Sequence, residues 1–260
     1  MTDSSHTTPA TPATASSPAA PAMPPLEEVS VPNAGPGCDP LAMAAVAEIR
    51  SGMIVGMGTG RTASRAIRAL AHRYKEEKLD IDCVSTSMST ETLARELGLP
   101  TVPFADIEMV DYHFDGANEV DYQLRMLKGH HGAITRQRLV AEVSRKCVYL
   151  AHEDKLVQRL GTKTLLAVTI IPFGIASIRS RLRAMGLSGV VRCNLDGEMF
   201  ISEGGGVVLD IRLPERNVEE LAEELDHVAG VVDHGLFLCE ADEVLIECKH
   251  GVVKRMQRPA

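Results

Sequence analysis

Two short stretches of this 260-residue chain hold side chains suited to moving a proton on a small polar molecule. "DGANEVD" (115–121) follows an apolar run and offers Asp115 and Asn118 to a ligand's hydroxyl groups. "KGHHGAITRQRLVAEV" (128–143) opens with Lys128, whose ammonium stands beside a glycine and is free to face an oxyanion. His130 and His131 follow, and an imidazole titrates near neutrality and can carry a proton. Both also fit a plainer role as loop residues. Gln137, further on, carries an amide, which orients a hydroxyl group but is not a base. His113, His130 and His131 make a poor metal site, because adjacent histidines rarely converge on one ion. No metal and no cofactor is expected.

Two further stretches fit an anion. In "VGMGTGRTASRAI" (55–67) a glycine loop runs into a helix, where backbone N–H groups and the helix N-terminus favour negative charge. It lacks the Gly-Lys-Ser/Thr of a Walker loop, and its G-x-G-x-G spacing misses the dinucleotide fingerprint. Gly58, Thr59, Gly60, Arg61 and Thr62 are its candidate contacts. "STSMSTET" (85–92) sets hydroxyl groups, among them Ser85 and Ser87, before a second helix. They fit either a phosphate or simple capping by Ser89 or Thr90.

The pattern of elements needed to hold these groups begins at residue 38. "DPLAMAAVAEIRSG" reads as a helix with Asp39 as N-cap, Pro40 in its first turn and Gly52 past its end. Strand-like and helix-like segments then alternate: "MIVGMGTG", "RTASRAIRALAHRYKEE", "IDCVSTS", "STETLARELG", "MVDYHFDGA", "GAITRQRLVAEVSR" and "KCVYLAHE". That alternation predicts an α/β fold, a mainly parallel sheet flanked by helices. After about residue 164 the rhythm changes to short strands, with turns at Asp196-Gly197 and at 204–206, and a capped helix in "NVEELAEELDHVAG". This predicts a smaller α+β subdomain over 164–230, with 231–260 returning to the main domain of 38–163. Residues 1–37, rich in Ala, Pro, Ser and Thr, are expected to form a disordered tail.

Composition excludes several functions. A net charge of −8 argues against nonspecific nucleic-acid binding, which needs a basic footprint. Six scattered cysteines without a C-x-x-C pair predict free thiols in a reducing compartment. No apolar run is long enough to span a membrane, and the N-terminus lacks the charged and apolar regions of a secretory leader. The cytoplasm is the expected location.

In order along residues 40–255, "VGMGTGRTA", "STSMSTETLARELG", "DGANEVD", "LKGHHGAITRQRLV", "HEDKLVQRLG", "IIPFG", "VVLDIRL" and "GVVDHGLF" resemble the A-type ribose-5-phosphate isomerases. The resemblance implies metal-independent interconversion of an aldose phosphate and its ketose through an enediolate, in a homodimer or homotetramer. It implies enediolate stabilisation by Lys128 and phosphate or loop contacts by Lys155. It also places Gln137 where the family has its catalytic glutamate, Asn118 where it has the second aspartate of D-G-A-D-E, and Arg61 where it has a serine. His130 and His131 stand in for loop glycines. Three readings of the missing base follow: His130 or His131 replaces it, Asp115 serves in its stead, or there is none. In the last case the chain is an inactive paralogue that binds a sugar phosphate or a protein partner as sensor or scaffold.

Overall fold

The computed structural model describes residues 25–31 and 38–258. In chain order the first half forms β1 (Glu27–Glu28), α1 (Pro40–Val46), β2 (Ile54–Met57), α2 (Arg61–Glu76), β3 (Asp82–Ser85), α3 (Met88–Glu96), β4 (Tyr112–Gly116), β5 (Glu119–Asp121), β6 (Met126–Leu127), α4 (Ile134–Glu142) and β7 (Cys147–His152). The second half forms β8 (Leu156–Val157), β9 (Leu166–Ile170), α5 (Ile175–Ala184), β10 (Gly189–Val191), β11 (Val207–Ile211), α6 (Val218–Asp226), β12 (Val231–His234), β13 (Leu236–Phe237), β14 (Glu243–Glu247) and β15 (Val253–Gln257).

The principal sheet runs β1-β15-β14-β7-β4-β2-β3. Its five strands from β14 to β3 are mutually parallel, and β15 and β1 add antiparallel pairs at one edge. Strand alternation sends successive side chains to opposite faces. Phe114, Val148, Leu150 and Leu245 enter a core with α1 and α2, while Tyr149, Val244 and Ile246 enter one on the other face with Ile134 of α4. Covering both faces is what a parallel sheet requires. A separate antiparallel sheet, β10-β11-β9-β12, shares its own core with α5 and α6.

Several boundaries differ from the sequence reading. Asp39 does cap α1, accepting from the Ala42 N–H at 3.0 Å, but the helix ends six residues before Gly52, which sits in a turn at φ +88°. Ser87, rather than Ser89 or Thr90, caps α3. Disorder does not hold across the whole expected tail: Glu27 and Glu28 pair with Arg255 and Lys254 on β15, and Val29 and Val31 pack against the first core. The rest of that tail lies outside the described residues.

Arg65 ties the first helix to the sheet. Its guanidinium donates to Asp39 at 2.6 and 2.7 Å and to Glu247, at the end of β14, at 2.8 and 2.9 Å. Burial raises the Asp39 pKa, but Arg65 and the Ala42 N–H outweigh it and hold the carboxyl below its ordinary value. Asp39→Ala removes the cap and half of this clamp, with an expected cost of about 1–2 kcal/mol at neutral pH in urea unfolding. Because the folded pKa lies below the unfolded one, this stabilisation is present above pH 3.8 and is lost as the pH falls through the lowered value. Wild type and variant should therefore converge in acid.

Candidate active site

The connections out of β2 and β4 leave in opposite directions, to β3 on one side and toward β7 on the other, which makes a switch point between neighbouring strands. Crevices at the carboxyl ends of such strands are where α/β sheets place ligands. Gly58 and Thr59 follow β2 here, and Asp115 and Gly116 end β4. A cleft of about 730 Å³ opens over them.

The Asp115 carboxylate is fully buried at its base. Oδ1 accepts from the Thr59 N–H at 3.0 Å and the Gly116 N–H at 2.7 Å. Oδ2 accepts from Lys128 Nζ at 2.9 Å and Gln137 Nε2 at 2.7 Å. Gly58 permits this approach, since a Cβ there would lie 2.2 Å from Asp115 Oδ1. To take up a proton, Asp115 must release one of four donors that already fill its acceptor sites.

Lys128 is 3% exposed, with its Nζ 5.0 Å from the centre of the Tyr149 ring and 5.4 Å from that of Phe237. Burial lowers its pKa, and Asp115 opposes that shift. Its ammonium also donates to the Gly116 carbonyl, so one of its three N–H groups is left for a ligand in the cleft it lines. Gln137 reaches Asp115 because Ile134, Gln137, Val140 and Ala141 form the buried stripe of α4.

His130 and His131 are exposed and meet edge to face, with ring centres 5.1 Å apart. Both line the cleft, and His131 lies against Gly60 so closely that a Cβ there would be 2.7 Å from Nε2. Burial first, then His130 and the Lys128 and Lys155 cations, lower the His131 pKa, with Asp115 opposing. The ring is therefore neutral at pH 7. Asn118 holds this loop by accepting from the His130 N–H at 3.2 Å. On its other side Arg192, paired with Asp210, donates to the Gly129 and His130 carbonyls at 2.8 and 2.9 Å.

An anion is accommodated at the opposite wall. Gly60, at φ +106°, starts α2 without a side-chain cap, leaving first-turn N–H groups open. Arg61, Thr62 and Lys155 line the cleft there. Burial first, then the charges of Lys128 and Arg61, lower the Lys155 pKa, and Asp154 opposes them. Lys155 Nζ also donates to the Ala117 carbonyl at 2.8 Å.

Two sequence-named residues lie elsewhere. Ser85 lines neither this cleft nor its neighbour; its hydroxyl is buried without a partner among the described residues, because the strand pleat turns it away. Ser87 lines the neighbouring cleft, and its hydroxyl works as the α3 cap within a cluster with Thr59 and Thr90.

Sequence reading missed His113 as a neighbour of the site. It is fully buried, bonded through Nδ1 to the Gly56 carbonyl, with Nε2 4.0 Å from Asp115 Oδ2. Burial pushes it down to about 4, so it is neutral. Its place two residues before Asp115, on the same face of β4, was the available signal. Arg138 was also read only as a substitution. It instead ties α4 to Asp233 and to the His234 and Leu236 carbonyls while stacking on Phe237 at 4.1 Å.

Together the fold and site define an α/β protein with a switch-point cleft fitted to a small anion rich in hydroxyl groups. Residues 82–251 match the family model described as ribose 5-phosphate isomerase A (phosphoriboisomerase A). A ribose-5-phosphate isomerase A from Sphingopyxis alaskensis is 40% identical over 206 residues, spanning 79% of this chain and 89% of that protein. The solved ribose 5-phosphate isomerase A of Methanocaldococcus jannaschii superposes with a TM-score of 0.80 at 33% identity, covering 84% of this chain and 96% of its own. The Plasmodium falciparum ribose 5-phosphate isomerase gives 0.81 at 30%, covering 86% and 100%. The chain belongs to the ribose-5-phosphate isomerase A family.

Removing the Lys128 charge leaves a buried carboxylate without its countercharge. Lys128→Met is expected to cost about 3–5 kcal/mol in denaturant unfolding. Lys155→Met, at the cleft wall, should change stability by less than about 1 kcal/mol.

Proposed function

We propose that the protein isomerises a phosphorylated pentose between aldose and ketose through an enediolate. The observation that carries this reading is the buried Asp115–Lys128 pair at the base of the cleft, with a lysine N–H left for the oxygen that becomes negative. Arg61, Lys155 and the open start of α2 would take the phosphate, and Thr59, Thr62 and Asn118 would flank the sugar. A relative's structure at 28% identity is titled as a complex with phospho-erythronic acid, a ligand of the chemistry this cleft suits. Work in the cytoplasm as a homodimer or homotetramer belongs to the same proposal, by family resemblance.

The proton needs a carrier between C2 and C1, and Gln137 supplies none. Of the two histidines, His131 is the better base: it is neutral at pH 7 and lines both the main cleft and its neighbour. It would take the C2 proton and return it to C1 while Lys128 balances the enediolate charge. Asp115 is the weaker candidate, since all its acceptor sites are occupied. One observation favours the second reading, a binder without turnover: Gln137 fills the family base position as a donor to Asp115.

Ribose 5-phosphate isomerisation by wild type, His131→Ala and Gln137→Glu tests both. Wild-type turnover that His131→Ala reduces about 10²–10⁴-fold supports the base assignment. Activity should also fall in acid below the 6.5 of a free imidazole, as His131 gains its proton. Unchanged turnover in His131→Ala removes it from that role. Gln137→Glu puts two carboxyl groups in contact, and mutual repulsion makes one hold a proton more tightly. Turnover only in that variant would mean an intact pocket lacking its base, and thus the second reading.

A further inference from the structure

A second cleft of about 530 Å³ adjoins the first, sharing Thr59, Gly60, Arg61, Arg65 and His131 with it. Its far wall is the start of α3, and one side chain crosses to it from the smaller sheet. Glu203 stands on the turn between Ser202 and Gly206, which closes through the Ser202 N–H to the Gly206 carbonyl at 2.8 Å and leads into β11. Gly205 takes φ +78° in this turn. From there the Glu203 carboxylate accepts from the Met88 N–H with both oxygens, at 2.9 and 3.0 Å, and from Arg136 Nη1 at 2.6 Å. Met88 is the first residue of α3, so this carboxylate occupies a helix N-terminus, where an anion is favoured.

The charges around it do not cancel. Arg65 is neutralised by Asp39 and Glu247, and Arg136 by Glu203. Arg61 and Arg68 also line this cleft and have no carboxylate partner among the described residues. The chain has thus built a seat for an anion beside its phosphate wall and filled it with its own glutamate.

We infer that Glu203 determines specificity: it occupies the seat that a second phosphate on the sugar would take, so the site selects singly phosphorylated sugars over bisphosphates. This rests on reading the main cleft as a sugar-phosphate site. A second phosphate extending past Gly60 would meet the Glu203 carboxylate instead of Arg136 and the Met88 N–H. Without that carboxylate, the same donors would face an empty seat, with Arg68 nearby.

Calorimetric titration of wild type, Glu203→Ala and Glu203→Gln with ribose 5-phosphate, ribulose 1,5-bisphosphate and inorganic phosphate tests this. Glu203→Ala should bind the bisphosphate and inorganic phosphate at least about tenfold more tightly than wild type, because a like charge has left the seat. Ribose 5-phosphate affinity should stay within about threefold. Glu203→Gln keeps an acceptor for the Met88 N–H and guards against a merely structural effect; its gain should have the same sign. Adding Arg136→Ala to Glu203→Ala should abolish the gain. A bisphosphate that binds wild type as tightly as ribose 5-phosphate overturns the inference, as do variants that gain nothing for either phosphate ligand. If wild type fails to bind ribose 5-phosphate, the sugar-phosphate reading fails, while the inorganic phosphate comparison still decides whether Glu203 fills an anion seat.

Discussion

A carboxylate with no exposure to water is tolerable only if its charge is met by donors on every side, and the arrangement around Asp115 follows from that demand. Taking an ion out of water costs several kcal/mol unless pairing and hydrogen bonds replace the lost solvation. Two backbone N–H groups, an ammonium and an amide meet the requirement, and each comes from a different part of the chain. Their supports extend further. The Lys128 N–H donates to the Gly235 carbonyl at 2.9 Å, and the Gly235 N–H to Ala167 at 2.7 Å. A Cβ at position 235 would stand 2.3 Å from the Lys128 carbonyl. The lysine is thus clamped by the junction of β12 and β13, so the later part of the chain helps fix a charge at the base of the first sheet's cleft.

The same demand casts the amide at position 137 in a new light. A glutamate there would present a second negative oxygen to Asp115, and the two would have to share a proton. Gln137 donates instead, which strengthens the carboxylate's setting while removing a proton carrier. Structural compatibility and catalytic loss therefore come from one atom exchange. Neutral His113, set close behind Asp115, adds no further charge to balance.

Much of this was legible in the chain itself. The apolar run into Asp115 foretold a strand ending in a polar site, and the glycines at 58 and 60 foretold close backbone approach. The α4 stripe explains why Gln137 faces inward. What stayed hidden depends on contacts between distant segments. Nothing near Arg192 or Glu203 reveals that one holds the histidine loop and the other reaches α3, because their partners lie 62 to 115 positions away. Ser85 was misplaced for a simpler reason: a hydroxyl-rich stretch gives no local sign of which side the strand pleat will choose. The pairing of Glu27 and Glu28 was equally invisible, since a two-residue strand has no periodicity to read.

That short strand has an effect on the molecule's outer border. An open sheet edge is a template on which another chain can add a strand. Here the outermost strand beside β15 is two residues long and carries two glutamates, whose backbone pairs with Arg255 and Lys254. A brief, acidic border offers little purchase for edge-to-edge growth. The segment that looks most dispensable in the sequence thus shields the sheet from its own tendency to polymerise, and trimming it would uncover the longer, more continuous margin of β15.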